Sequence, residues 1–483
     1  MPLLSSVRRL AGPCLAGGLA LSVATCATNP VTGRRELSLV SESQEIAMGR
    51  EYSTQVAQEM GVYPDSAVQA YASRLGREIA VTTERPKLPW TFTVMDDPQV
   101  NAFALPGGFI FVTRGILTHM NSEAELASVL GHEIGHVTAR HSVQQMTRQQ
   151  LAQIGLMAGA IASDRIAQNL GMISQGLGVL FLKYGRDDES QADGLGFRYA
   201  LTDGYDVRRM VDMFQILQRV TARAGQRIPE WQSTHPDPGN RIEATERRLA
   251  KVTVPLDGKK VNRDAFLRVI DGMVYGENPR QGYFKDGSFL HPDLAFQLDF
   301  PAGWQTANQP SSVMGVSPAQ DAQLQLSLAG QDPPATALQK FLGQQGIQPG
   351  QGRSLTLNGN PAAQAPFTAQ TEDGRTLSGL VTFVSYGGTT YQLLGITAAA
   401  YATYDRAFQA FAGSFRRLTD PAALGVKPNR IQVTPVARAM TLAEFNRQYP
   451  STIPIEDLAL INGLADGNAQ VAAGTSLKRV VAK

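Results

Sequence analysis

The residues best suited to chemistry are His132, Glu133 and His136, in the run His132-Glu133-Ile134-Gly135-His136. The chain of 483 residues holds six histidines, so H-E-x-x-H is a specific pattern here rather than background. On an α-helix, residues four apart lie about 40° apart around the axis and one turn apart along it. Both imidazoles can then reach one metal ion. Glu133, about 100° further round, sits beside the metal, where a general base takes a proton from an activated water. A catalytic zinc site wants three protein ligands and an open position. Continuation as H-x-x-G-x-x-H would need Gly at 139 and His at 142, but Ala139 and Ser142 stand there. His141 is a poor angular match to the same metal on a continuous helix and reads as structural or surface. The other source of a third ligand is a distant acid. Glu189 and Asp193, in ESQAD, are four apart and share a helix face. Glu189 can ligate while Asp193 accepts a hydrogen bond from a ligand histidine and fixes its tautomer. The same acids would also serve as helix cap and dipole partners.

These residues need elements to hold them. Ser122 and Glu125 predict a capping box, and the recurrence of Leu126, Val129, Leu130, Ile134 and Val137 predicts a helix over 122–144 with one apolar face. Helical spacing recurs at about 42–60, 65–81, 187–202, 206–222 and 240–250. Trp90–Met95 alternates like a strand, and Phe103–Thr113 reads as paired strands about a Pro-Gly-Gly turn. Residues 149–183 are apolar and Gly-rich. They read as helices on the core or flanking a cleft, with a membrane-facing amphipathic segment as the alternative.

The near-neutral balance, 44 Lys+Arg against 42 Asp+Glu, argues against nucleic acid as a partner. The two cysteines, Cys14 and Cys26, exclude a disulfide framework. Residues 1–25 read as a secretory signal: Arg8 and Arg9, an apolar stretch from Leu10, then VATC ending at Cys26. That ending resembles a bacterial lipobox, with Cys26 lipidated; cleavage nearby as an ordinary signal is the alternative. Residues 26–41 read as a polar tether, 42–252 as the domain carrying the motif, 253–285 as a linker, 286–418 as a β-rich accessory domain and 431–483 as a compact strand-helix-helix-strand module.

Taken together, HEIGH with a later E-x-x-x-D resembles the gluzincins, and more narrowly the HtpX/BepA-like zinc metallopeptidases, which include the Oma-type and CAAX prenyl proteases. Four further segments carry the resemblance: NPVTGRRELSLVSESQEIAMG at 29–49, NAFALPGGFIFVTRGIL at 101–117, YGRDDESQAD at 184–193 and STHPDPGNRI at 233–242. The resemblance covers roughly 29–250. It implies an α+β chain whose zincin-type domain is mostly helical with a small sheet. It implies one zinc per chain on His132, His136 and Glu189, with Glu133 as base. It also implies that the strand at Phe109, Ile110 and Phe111 is an edge that pairs with extended substrate. His235 resembles a family histidine that nears the metal, to stabilise an oxyanion or to fill the open site; Arg241 is a companion candidate for the oxyanion. The implied activity is hydrolysis of unfolded or misassembled envelope proteins in the periplasm, from a lipid anchor on the outer membrane. Residues 431–483, with Asn462-Gly463 and AGTSLK, resemble a LysM module, a fold that binds peptidoglycan. A contrasting reading is a non-catalytic envelope binding protein with a structural zinc site; the presence of Glu133 weighs against it. A third is a protease fold held closed by His235.

Overall fold

The computed structural model of the chain describes residues 25–162, 184–223, 231, 235, 238–370 and 375–483. The signal segment up to Ala24 and the part of the apolar 149–183 segment from residue 163 onward lie outside the described residues. No helix among the described residues is long and apolar enough to cross a membrane.

The segment expected to be a tether is folded. Strands β1 (Thr25–Thr28) and β2 (Arg35–Ser38) pair antiparallel. Asn29 is buried between them and donates to the Ala139 carbonyl at 3.1 Å. Its side chain also accepts the Val31 and Thr32 N–H groups, which closes the turn. One short polar side chain thus converts an otherwise polar stretch into a docked hairpin.

Helices α1 (Glu42–Met60) and α2 (Ser66–Ala80) follow, capped by Ser41 and Asp65. Strands β3 (Thr91–Met95), β4 (Ala102–Leu105) and β5 (Phe109–Thr113) form a three-stranded sheet in the order β3-β5-β4. β5 runs parallel to β3 and antiparallel to β4. The strand at Phe109, Ile110 and Phe111 is therefore the middle of the sheet, not its edge; β3 and β4 are the edge strands. The Pro-Gly-Gly turn explains the order, because it folds β4 back on one side of β5 and leaves the other side to β3. Gly107 adopts φ +81°, and a Cβ there would meet the Ile46 Cα at 2.7 Å, so the turn seats directly on α1.

Short α3 (Arg114–His119) leads into α4 (Glu123–Thr138). The helix expected to continue to 144 stops at Ala139. Arg140 takes φ +59°, and α5 (His141–Ala162) starts in a new direction. Helices α6 (Arg186–Thr202), α7 (Arg209–Arg223) and α8 (Pro238–Leu249) complete the set around α4. One continuous apolar core joins α2, the small sheet, α4, α6 and α7. It extends past residue 252: Phe266, Leu267 and Ile270 of α9 (Arg263–Ile270), with Met273, belong to the same core. Part of the expected linker is thus structural core, recruited by an i, i+1, i+4 apolar stripe too short to stand out in the sequence.

Residues 283–417 form a four-stranded and an eight-stranded antiparallel sheet, with helices α10 (Pro334–Leu342) and α11 (Tyr401–Ser414) packed on the strands. Their cores are separate from that of α4. In the C-terminal segment, Asn429–Pro435 pairs antiparallel with Ser476–Ala482 around two seven-residue helices, Leu442–Gln448 and Ile455–Ile461. This segment is docked on the first domain. Lys478 is fully buried and donates to the carbonyls of Thr118 at 2.9 Å and Met120 at 2.6 Å, the end of α3.

Candidate metal centre

Helix α4 carries His132, Glu133 and His136. Ser122 Oγ accepts the Glu125 N–H at 3.2 Å, and Glu125 Oε2 accepts the Asn121 N–H at 2.7 Å. The cap satisfies donors that the first turn cannot pair internally. Every residue of α4 is buried, where the apolar spacing predicts one buried face. The second face is covered by α6. Gly131 and Gly196 cross so closely that a Cβ on Gly196 would stand 2.8 Å from the His132 backbone nitrogen. This contact fixes how deeply Glu189, on α6, reaches toward the α4 histidines.

His132, His136, Glu189 and His235 bring one ligating atom each to within 4.8 Å of one another. Nε2 of His132 and Nε2 of His136 are 3.0 Å apart. Glu189 faces both, with Oε2 3.5 Å from His132 Nε2 and Oε1 3.4 Å from His136 Nε2. His235 Nδ1 lies 3.3 Å from His132 Nε2 and 2.9 Å from Glu189 Oε1. Glu133 lies beside this group, Oε1 3.6 Å from His235 Nε2. Glu133 Oε2, Glu189 Oε2 and His235 Nε2 are buried and make no hydrogen bond among the described residues, although Arg241 Nη1 is an ionic neighbour of Glu189 Oε2 at 3.3 Å. Buried polar atoms are rarely left so. Two imidazoles and a carboxylate converging with unpaired atoms suit a divalent cation of mixed N/O preference, zinc among them.

A second layer holds the first. His132 Nδ1 is 2.9 Å from Asp193 Oδ1, as the four-residue spacing from Glu189 predicts. Arg241 Nε and Nη2 donate to Asp193 Oδ2 and Oδ1 at 2.9 and 2.6 Å, and its guanidinium lies 4.4 Å over the Phe214 ring. Arg241 is thus committed to carboxylates rather than free for an oxyanion; its distance from ESQAD in sequence hid that pairing. His141 is no surface residue. The break at Arg140 turns its Nδ1 to within 2.9 Å of His136 Nδ1, and its Nε2 lies 2.9 Å from Gln191 Oε1. Sequence reasoning missed Gln191 and Tyr184. The Tyr184 ring stacks on His136 at 3.9 Å between centroids, and its hydroxyl lies 2.8 Å from Ser142 Oγ.

The electrostatics follow from burial against charge. Burial and the Arg241 charge oppose protonation of His132, but Asp193 and Glu189 outweigh them and hold its pKa up at about 9. Burial drives His136 well below the imidazole range. Burial would raise Glu189, but His235, His132 and His136 hold it well below the carboxylate range. Burial raises Glu133. Asp193, despite burial, is held at about 2 by Arg241 and His132. Glu189 and Asp193 are therefore fixed anions, while Glu133 is the more basic carboxylate. A cleft opens on this group. His132, Glu133, His235 and Arg241 line one part of it; Ala102 of the β4 edge, Val129, Met213 and Leu217 line the apolar remainder.

Residues 66–249 match the family described as Peptidase family M48. Beta-barrel assembly-enhancing proteases of Yersinia pestis and Escherichia coli (strain K12) are each 29% identical to this chain. The matches cover 45% and 46% of this chain, and 46% and 47% of the relatives. A mitochondrial metalloendopeptidase of Schizosaccharomyces pombe is 29% identical over 246 residues, 50% of this chain and 72% of that protein. The chain spans about half the length of the bacterial relatives it matches. The matched span takes in α2, the three-stranded sheet, α4, Glu189 and His235.

Proposed function

We propose that the chain is a zinc-dependent endopeptidase acting on unfolded or misassembled envelope proteins. The convergence of His132, His136 and Glu189, with Glu133 beside them at the mouth of an apolar cavity, carries this reading. Those three side chains hold the zinc, one ion per chain. Bound there, zinc supplies Lewis acidity toward a water and a peptide carbonyl. Glu133 accepts the proton of the attacking water and delivers it to the leaving amine. Burial suits it to the task by raising its affinity for that proton. An extended substrate adds to the sheet at β4, through main-chain pairing that is indifferent to sequence. One apolar substrate side chain enters the cavity between Val129, Met213 and Leu217.

Placement in the periplasm rests on the secretory signal and on the names of the bacterial relatives. A lipid on Cys26 would tether the protein to the outer membrane. Residues 431–483 remain a LysM-like candidate for peptidoglycan.

One observation favours a second reading. His235 lies inside the ligand group, against Glu189, rather than across the cavity from it. In that reading this is a closed form, and His235 must leave before substrate is cut.

The test is cleavage of an unfolded protein by the mature chain, with zinc measured on the same sample and Glu133→Gln as control. Zinc-dependent cleavage that vanishes in the variant supports the endopeptidase. Zinc-loaded protein that cuts nothing supports the closed form, and His235→Ala should then cut. A zinc-free, inactive protein defeats both.

A further inference from the structure

The two α4 histidines are held by different chemistry. His132 presents Nδ1 to a carboxylate, Asp193. His136 presents Nδ1 to another imidazole, that of His141, at 2.9 Å. Two imidazole nitrogens at that distance share one proton, and its location decides whether His136 can ligate through Nε2. A neutral imidazole carries a proton on one nitrogen and a lone pair on the other. If His136 Nδ1 donates, Nε2 is bare and faces Glu189 and His132. If His141 Nδ1 donates, His136 carries its proton on Nε2, and that atom cannot bind a metal.

Gln191 decides between them. Its Oε1 is 2.9 Å from His141 Nε2. An amide oxygen only accepts, so His141 must carry its proton on Nε2 and offer a lone pair at Nδ1. The nearest carboxylate acts in the same sense: Asp188 Oδ1 is 3.9 Å from the same nitrogen. Asp188 is otherwise engaged by its other oxygen, which accepts the Gly185 N–H at 3.1 Å. The break at Arg140 makes this relay possible, because on a continuous helix His141 would point away from His136.

The geometry points to His141 and Gln191 as positioning residues that set the tautomer of His136. The proton of His136 Nδ1 is donated to His141 Nδ1, and that of His141 Nε2 to Gln191 Oε1, so His136 Nε2 is left bare. This rests on the reading of His136 as a zinc ligand. It has a consequence for the motif Glu189-Ser190-Gln191-Ala192-Asp193. Five consecutive residues supply one ligand and the tautomer control of the other two: Asp193 for His132, and Gln191 through His141 for His136. Because one orienting partner is anionic and the other neutral, the two imidazoles differ in basicity as ligands.

The test measures zinc affinity by chelator competition and histidine tautomers by long-range proton–nitrogen correlation on the histidine-labelled full chain. Six histidines make the spectrum assignable. In the zinc-loaded protein, His141 should carry its proton on Nε2. His141→Leu and Gln191→Leu should each weaken zinc binding, the former by roughly 10–100-fold. His141→Asn should recover most of the loss, because its oxygen takes the place of Nδ1 and accepts from His136. Gln191→Glu, which keeps an acceptor at this position, should bind zinc more tightly than Gln191→Leu. A structural role alone would leave Asn no better than Leu. His141 protonated on Nδ1, or His141→Leu binding zinc as tightly as the unmodified chain, would overturn the inference and leave the endopeptidase reading standing. Failure of the unmodified chain to bind zinc would remove that reading and this one with it.

Discussion

Arg241 grips Asp193 by both carboxylate oxygens, and Asp193 in turn holds His132 Nδ1 at 2.9 Å. Both charges are buried, Arg241 at 8% and Asp193 at 1% exposure. Removing one partner of a buried ion pair costs about 3–5 kcal/mol; here His132 remains beside Asp193 and offsets part of that. Arg241→Met should therefore lower the unfolding free energy by less than that amount and weaken zinc binding through His132. Chemical denaturation and chelator competition measure both. A variant that keeps its stability and zinc but loses turnover would return Arg241 to an oxyanion role.

Glu133→Gln keeps the shape of the site and removes the proton acceptor. Glu133 lies beside the ligand group, Oε1 3.6 Å from His235 Nε2. Zinc content by mass spectrometry should stay at one per chain, while turnover falls by roughly 10²–10⁴-fold or more. Loss of zinc in this variant would place Glu133 among the ligands.

Gly196→Ala should separate α4 from α6. The added methyl would meet the His132 backbone nitrogen at 2.8 Å and the Gly131 carbonyl carbon at 3.0 Å. Overpacking of this kind costs about 1–3 kcal/mol. The displacement draws Glu189 away from His132 and His136, so zinc affinity should fall even in chains that remain folded. Zinc bound at full affinity would mean that the helices can slide apart without moving the ligands.

Glu125, at the start of α4, provides a pH signature away from the metal. Burial pushes its carboxyl up to about 7, from an ordinary 4.5. The folded chain then binds this proton more tightly than the unfolded one. Its stabilising contribution is complete below about 4.5 and is lost as pH rises through about 7. Lys478, pushed well below its usual range by burial, acts in the opposite sense at higher pH. The unfolding midpoint of Glu125→Gln, subtracted from that of the unmodified chain, should vary between those two pH values, with the response of Lys478 to the lost carboxyl included. An unchanged difference across pH 4.5 to 7 would show that Glu125 titrates normally.

The histidines, Glu133, Glu189 and Asp193 were legible because helical periodicity converts spacing into direction, and His132–Glu189–Asp193 obeys it. The helices at 42–60, 186–202 and 209–223 carried the same signal. Where the chain leaves the helix, that logic stops. A left-handed Arg140 is not signalled by residue type, so His141 was assigned to the wrong direction and its contact with His136 was hidden. Strand order is another property that local pattern does not encode. The family resemblance implied that FIFV is an edge, yet a run this β-rich is suited to burial on both sides, and the shorter Ala102–Leu105 lies outside it. Arg241 and Asp193 meet only through the packing of α8 on α6, which no window of sequence contains.

Lys478 carries a consequence for the order in which the molecule is made. The carbonyls of Thr118 and Met120, at the junction that leads into the HEIGH helix, receive their buried donor from a residue 360 positions after Thr118. A ribosome delivers that residue long after the helix itself has emerged. Until then the junction is an unfinished piece of backbone, however complete the metal-binding motif behind it. The clock of synthesis is thereby built into the fold: a half-made chain has its histidines but not the brace that seats their helix.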